Sequence, residues 1–165
     1  PRLWPTTSSA GRLFDGVAAL ALGITTSQFE GQPAMLLEAA CDPRSDGQYA
    51  LPLDSRETQT LDWRSLVDGV LSDRTAGLSP RTIATRFHRA LAAGIVTVAE
   101  RFRLPVVLCG GCFYNKTLTE LVVDRLPRGR ELVTPGVVPS GDGGLAAGQL
   151  AICSSRRSRG WPACA

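Results

Sequence analysis

Pro105-Val-Val-Leu-Cys109-Gly110-Gly111-Cys112-Phe113-Tyr114-Asn115 is the stretch on which the reading of the fold turns. Residues 105–109 form a short apolar run of strand-forming residues. Gly110-Gly111 break that run, and from about Phe113 a helix is predicted, with Leu118, Leu121, Val122 and Leu126 on one face. A buried strand that passes through paired glycines into a helix is how α/β proteins bring backbone amides up to a phosphate. Glycine permits close approach, and the helix N-terminus is the positive end of a dipole. Paired glycines alone are weak evidence and favour a plain strand-to-helix turn. A second cluster, Gly141-Asp142-Gly143-Gly144, again opens a helix and adds weight to the phosphate reading.

Upstream of this stretch the periodicities predict mostly helix. Leu13, Val17 and Leu20 recur at helical spacing over 11–22, with Ser8 or Ser9 placed to cap the start and Gly23 to stop it. A second helix is predicted over 32–40 with Met35, Leu36 and Ala39 inward. Tyr49, Leu51 and Leu53 alternate as a half-buried strand does, with 58–61 as its partner. Asp62 is placed to cap a helix carrying Leu66, Val67, Val70 and Leu71. Ser79-Pro80 is a strong helix start, opening the longest element, 80–103, whose core stripe is Ile83, Phe87, Leu91, Ile95, Val98 and Phe102. Downstream, 131–134 reads as a short strand stopped by Pro135, and 143–153 as a helix.

The 165 residues are 44% hydrophobic and 20% charged, enough for one globular unit with a core or one lobe of something larger. Beginning at Pro1 rather than Met, the chain is expected to be a processed or excerpted piece. No apolar run reaches the roughly 18–20 residues a bilayer span needs, so no membrane association and a cytoplasmic location are expected. The net charge of +3 comes almost wholly from arginine, Lys116 being the only lysine, and no nucleic-acid partner is expected. Arg156-Arg157-Ser158-Arg159 reads as part of a solvated tail. Cys41, Cys109, Cys112, Cys153 and Cys164 are scattered, as in a reduced protein rather than a disulfide scaffold. Cys109-Gly-Gly-Cys112 has the C-x-x-C spacing but no second ligand pair to make a zinc site.

Several motifs fall in one order: Ser8-Ser9-Ala-Gly11-Arg12-Leu13-Phe14-Asp15, Phe29-Glu30-Gly31-Gln32, Arg86-Phe87-His88, Gly110-Gly111-Cys-Phe113-Tyr114-Asn115 and Asp142-Gly143-Gly144-Leu-Ala-Ala-Gly148-Gln149. This series closely resembles the C-terminal part of the HypF-type carbamoyltransferases, which help mature nickel–iron hydrogenases. The resemblance runs from about Ser8 to Ile152. More distantly, the same segments resemble the TsaD-type tRNA threonylcarbamoyladenosine synthases. The expected fold is therefore α/β, a mixed sheet flanked by helices, one lobe of an actin-like, ribonuclease-H-like ATPase. Residues 1–10 are expected to be a lead-in, 11–153 the lobe and 154–165 a flexible tail.

The resemblance also implies a chemistry. Carbamoyl phosphate and ATP give a carbamoyl-adenylate, whose carbamoyl group passes to the C-terminal cysteine of a HypE-type partner protein for cyanide ligand synthesis. Asp15 corresponds to the carboxylate that holds the nucleotide ribose, Gly31 to a glycine lining the nucleotide pocket, and Gly110, Gly111 and Asn115 to the loop against which the adenylate lies. Asp142 corresponds to a carboxylate ligand of a divalent metal, iron or zinc. His88, the sole histidine, lies beside the apolar stripe of its helix. On ordinary grounds it is a packed or surface residue, and within its motif it is a candidate catalytic residue. The family's paired metal-binding histidines are absent, and the upstream half of the same domain is the implied partner that carries them. Cys109 and Cys112 replace a serine and a small apolar residue, and Gly141 replaces the usual asparagine. The alternatives are a non-catalytic nucleotide- or partner-binding remnant and a relative of the tRNA-modifying transferases.

Overall fold

A computed structural model describes residues 7–54, 59–134 and 136–158. Residues 1–6, Thr58, Pro135, Cys164 and the rest of 159–165 lie outside it, as do the side chains of the arginine run from 156. Six helices and one small sheet make up the described fold: α1 (Ala10–Leu22), α2 (Gln32–Ala39), α3 (Arg64–Thr75), α4 (Pro80–Arg101), β1 (Val106–Val107), α5 (Lys116–Arg125), β2 (Leu132–Val133) and α6 (Leu145–Ser158). Two 3-10 turns, Gly111–Tyr114 and Asp142–Gly144, precede α5 and α6.

The long helix α4 is the scaffold, packing against α1, α2, α3 and α5. Ser79 caps it as its sequence predicts, its hydroxyl accepting the Thr82 amide at 3.2 Å, with Pro80 in the first turn. Ile83, Phe87 and Leu91 are buried in the core together with Phe14 and Val17 of α1, Leu37 of α2, Leu66 and Val70 of α3 and Leu118 and Val122 of α5. The Phe14 and Phe87 rings meet edge-on, 4.9 Å between centroids, a geometry that places a ring edge on a π face.

Several expectations are corrected. The buried stripe of α4 ends at Val96, and Phe102 is 55% exposed, because the helix stops at Arg101 and Phe102 is already extended. On α2 the inward residues are Pro33 and Leu37, one turn apart, while Met35 and Leu36 are exposed. Ser9 stands at the N-cap of α1, but its hydroxyl caps no amide. Asp62 accepts the Arg64 amide from one position further out than a cap, Trp63 lying between. Tyr49 points inward as alternation predicts, yet 49–53 form no ladder beyond a single antiparallel bridge, Leu53 to Leu61. Pro52 explains this, since it has no amide to donate to a ladder. Its carbonyl does accept the Asp62 amide at 2.8 Å.

The sheet is two parallel strands of two residues each, not a mixed sheet. The Val106 amide donates to the Glu131 carbonyl and the Leu108 amide to that of Val133, and α5 is the crossover between the strands. A parallel pair requires such a crossover, which is why a glycine turn and a helix stand between the strands. Cys109, placed by the sequence at the end of a buried strand, is exposed. Helix α6 runs on past Cys153 to Ser158. Among the described residues, no helix is long and apolar enough to cross a membrane.

Candidate functional site

The N-terminal half of α1, the loop from Ile24 to Gly31, the first turns of α2 and both 3-10 turns enclose an open groove of about 1550 Å³. Asp15, Gly31, Gly111, Asn115 and Asp142 all line it, although Asp15 and Asn115 are far apart in sequence. The fold brings them together because α1 and α5 pack on neighbouring faces of α4. Gly110 is not on the lining. It sits one residue behind it, with its amide donated to the Ser140 carbonyl at 2.6 Å.

Each of these residues has a local reason for its place. Gly110 (φ +100, ψ 160) and Gly31 (φ +81, the N-cap of α2) adopt backbone conformations that L side chains rarely take. A Cβ at either would meet no atom, so the need for glycine there is conformational rather than steric. Asp15 is paired with Arg12 one turn back, 2.9 Å from its guanidinium, and both line the groove. Asn115 is the N-cap of α5, its Oδ1 accepting the Leu118 amide at 2.7 Å.

The start of α5 differs from the phosphate cradle expected there. Glu38 of α2 accepts the Thr117 amide at 2.9 Å, and Asn115 takes that of Leu118. Side chains of the protein thus satisfy the second and third amides of the helix. The opening amides of the Gly111–Tyr114 turn have no partner within the turn, as at any helix start, and Gly111 and Cys112 line the groove.

The second glycine cluster packs against the first. The Gly141 amide donates to the Tyr114 hydroxyl at 3.2 Å, and a Cβ at Gly141 would lie 2.8 Å from the Tyr114 ring. A Cβ at Gly144 would lie 2.4 Å from the Pro139 carbonyl oxygen. Gly141 and Gly144 are therefore required by close packing of the loop. Asp142 lines the groove, and its carboxylate accepts no hydrogen bond from another described residue. Among the described residues no three histidine, cysteine or carboxylate side chains converge as a metal site needs. One carboxylate is too few, so a cation at Asp142 would take its other ligands from outside these residues. Cys41, Cys109, Cys112 and Cys153 are free thiols.

His88, placed beside the apolar stripe by the sequence, is instead fully buried within the core, and it does not line the groove. Its ring packs edge-on to Phe14 and Phe87. Nδ1 lies 2.8 Å from the Ala84 carbonyl oxygen and 3.2 Å from Cys41 Sγ, and Nε2 lies 2.9 Å from Asn115 Nδ2. Burial pushes the imidazole below its ordinary pKa, so the ring is neutral near pH 7. Burial also pushes the Cys41 thiol up to about 12. Glu38 is the site residue that motif reading passed over. Its spacing of seven from Gly31, on the helix that Gly31 opens, was the available signal.

Residues 3–149 match the family described as the carbamoyltransferase Kae1-like domain, second subdomain, of HypF. The carbamoyltransferase HypF of Synechocystis sp. is 37% identical over 150 residues, a match covering 88% of this chain and 19% of that protein. A carbamoyltransferase HypF homolog of Cupriavidus necator is 38% identical over 168 residues, covering 91% of this chain and 41% of that protein. In three dimensions the chain is similar to full-length HypF crystallised in its phosphate- and nucleotide-bound form, with a TM-score of 0.85 and 30% identity over 90% of this chain and 24% of that one. The chain spans about a fifth of the length of the first of these relatives. With nearly its whole length inside that family's second subdomain, the chain belongs to the HypF carbamoyltransferase family.

Proposed function

We propose that this chain forms one wall of the nucleotide site of a HypF-type carbamoyltransferase, which makes carbamoyl-adenylate from carbamoyl phosphate and ATP. In the transfer step a C–S bond forms between the carbamoyl carbon and the C-terminal cysteine sulfur of a HypE-type partner as the C–O bond to AMP breaks, and the thiol proton is released. The product serves cyanide ligand synthesis for nickel–iron hydrogenases. The observation that carries this reading is the convergence of Asp15, Gly31, Gly111, Asn115 and Asp142 on one groove from separate elements.

In this reading Asp15, held in place by Arg12, accepts from the two ribose hydroxyls, and the glycine turn lies along the adenylate. Gly110 shapes that turn from behind, and Gly31 keeps the facing wall free of a side chain. Asp142 supplies one carboxylate toward a divalent cation, iron or zinc, whose remaining ligands would come from the upstream part of the domain. The groove exceeds the roughly 300–1,000 Å³ of a closed small-molecule pocket, which fits a half-site completed by the upstream part of the domain. The likeness to a nucleotide-bound HypF at 30% identity supports the choice of ligand.

The test is Asp15→Ala in the full-length enzyme, titrated calorimetrically with the ATP analogue AMPPNP. We expect binding weaker by about 1–3 kcal/mol, the range for a lost hydrogen bond to a charged group. Asp15→Asn, which keeps one acceptor, should lose less. Unchanged affinity in Asp15→Ala would remove Asp15 from the site.

A further inference from the structure

We propose that His88 is a positioning residue that locks the Asn115 carboxamide in one of its two orientations, so that the groove is offered an N–H donor from Asn115 and the group docking there must be an acceptor. Two backbone groups beside the pair have hydrogen-bonding roles that cannot change. The Leu118 amide can only donate, so the Asn115 atom 2.7 Å from it is the oxygen. The Asn115 atom 2.9 Å from His88 Nε2 is then the amide nitrogen, which can only donate. Nε2 must therefore be the unprotonated nitrogen, and the ring proton sits on Nδ1. The second fixed group confirms that assignment independently: the Ala84 carbonyl, 2.8 Å from Nδ1, can only accept. Four groups in a row have one self-consistent pattern of donors and acceptors.

The pattern has a consequence at the groove. Asn115 is 8% exposed and lines the groove, and one of its two Nδ2 hydrogens is spent on His88. The other hydrogen is the only donor the carboxamide has left. Without a partner at Nε2, the cap to Leu118 would still favour one orientation, but the carboxamide could rotate away from it. With His88 in place, rotation would set a carbonyl oxygen against a ring lone pair, at a buried site where no water compensates. His88 thus acts on the ligand through Asn115 without touching it. For the identity of the ligand this inference rests on the nucleotide reading above, whereas the locked amide does not. On that reading the docking group is a ribose, phosphoryl or carbamoyl oxygen, or an unprotonated ring nitrogen of the base.

Two measurements on the full-length enzyme test the inference. The first labels histidine with ¹⁵N in this segment alone, where His88 is the only histidine. Two-bond nitrogen–proton correlations at neutral pH should show a neutral ring with its proton on Nδ1. A proton on Nε2, or a cationic ring, would overturn the proposal whatever the enzyme binds. The second compares AMPPNP affinity and melting temperature in His88→Leu, which removes the acceptor, and His88→Gln, whose carbonyl can replace it. We expect His88→Leu to bind about tenfold more weakly and His88→Gln to recover most of the loss, at matched melting temperatures. Equal affinities in the two variants would show that His88 only fills space and would overturn the positioning role. A wild-type enzyme with the Nδ1 proton but no affinity for AMPPNP would refute the nucleotide reading while leaving the locked amide standing.

Discussion

Glu38 of α2 accepts the amide of Thr117 at 2.9 Å, so a carboxylate of the protein itself occupies the N-terminus of α5. Removing it exposes an unsatisfied amide and uncouples α2 from α5. Glu38→Ala should cost about 1–2 kcal/mol in urea unfolding, the scale of a lost capping interaction, and Glu38→Gln, which keeps an oxygen there, distinctly less. Equal losses would mean that the hydrogen bond contributes nothing and only the side-chain volume matters.

Gly110 and Gly111 are neighbours with different needs. At Gly110, φ +100 lies where an L residue is strained, so Gly110→Ala should destabilise by about 1–3 kcal/mol. Gly111 has no positive φ, and a Cβ there would meet nothing, so Gly111→Ala should unfold near the wild-type denaturant midpoint. If the groove holds a phosphate, Gly111→Ala should still weaken nucleotide binding, which calorimetry would read separately from stability.

His88 also predicts a pH dependence. Its folded pKa is depressed by burial below the ordinary value, so between the two values the unfolded chain binds more protons than the folded one. Stability is then fully present above about pH 6.5 and falls as the pH drops through that value toward the lower folded pKa. The charged groups nearby bear on this: Glu38 opposes the shift, and Cys41 stays a neutral thiol. Melting temperatures from pH 8 to pH 5 should decline in the wild type, and the decline should shrink in His88→Leu.

The thiols should fall into separate reactivity classes. Cys109 and Cys153 are exposed and should react with a thiol reagent in the native protein. Cys112 is half-buried, its thiol pushed up by burial, and should lag. Cys41, at about 12, should react only on unfolding. A tightly held zinc that is lost on replacing both Cys109 and Cys112 with serine would contradict this and make the C-x-x-C a metal site.

Much of this was legible in the sequence wherever one interaction decides one residue. Ser79-Pro80 opens α4 because capping is local, and Leu118 and Val122 face inward because their spacing permits a single apolar face. What failed needed tertiary information. The phase of α2 follows from Gly31 at its start and from packing on α1, so Leu37 goes inward while the equally apolar Met35 and Leu36 stay out. The strand expected at 49–53 follows the period-two pattern of Tyr49, Leu51 and Leu53, but a ladder also needs amides, and Pro52 lacks one. For the site, motif order brought Asp15, Gly31, Gly111, Asn115 and Asp142 to one groove, whereas the burial of His88 depends on α1 lying across α4, which no local pattern encodes.

The tie between Tyr114 and Gly141 joins the two walls that carry Asn115 and Asp142. With the Gly110 amide held by the Ser140 carbonyl as well, the two loops are tied at two points. Cutting the Tyr114 tie would leave the Gly110–Ser140 bond as the remaining hydrogen bond between the two glycine loops among the described residues. The spacing of Asn115 and Asp142 across the groove is thus set by how one tyrosine ring packs on one glycine.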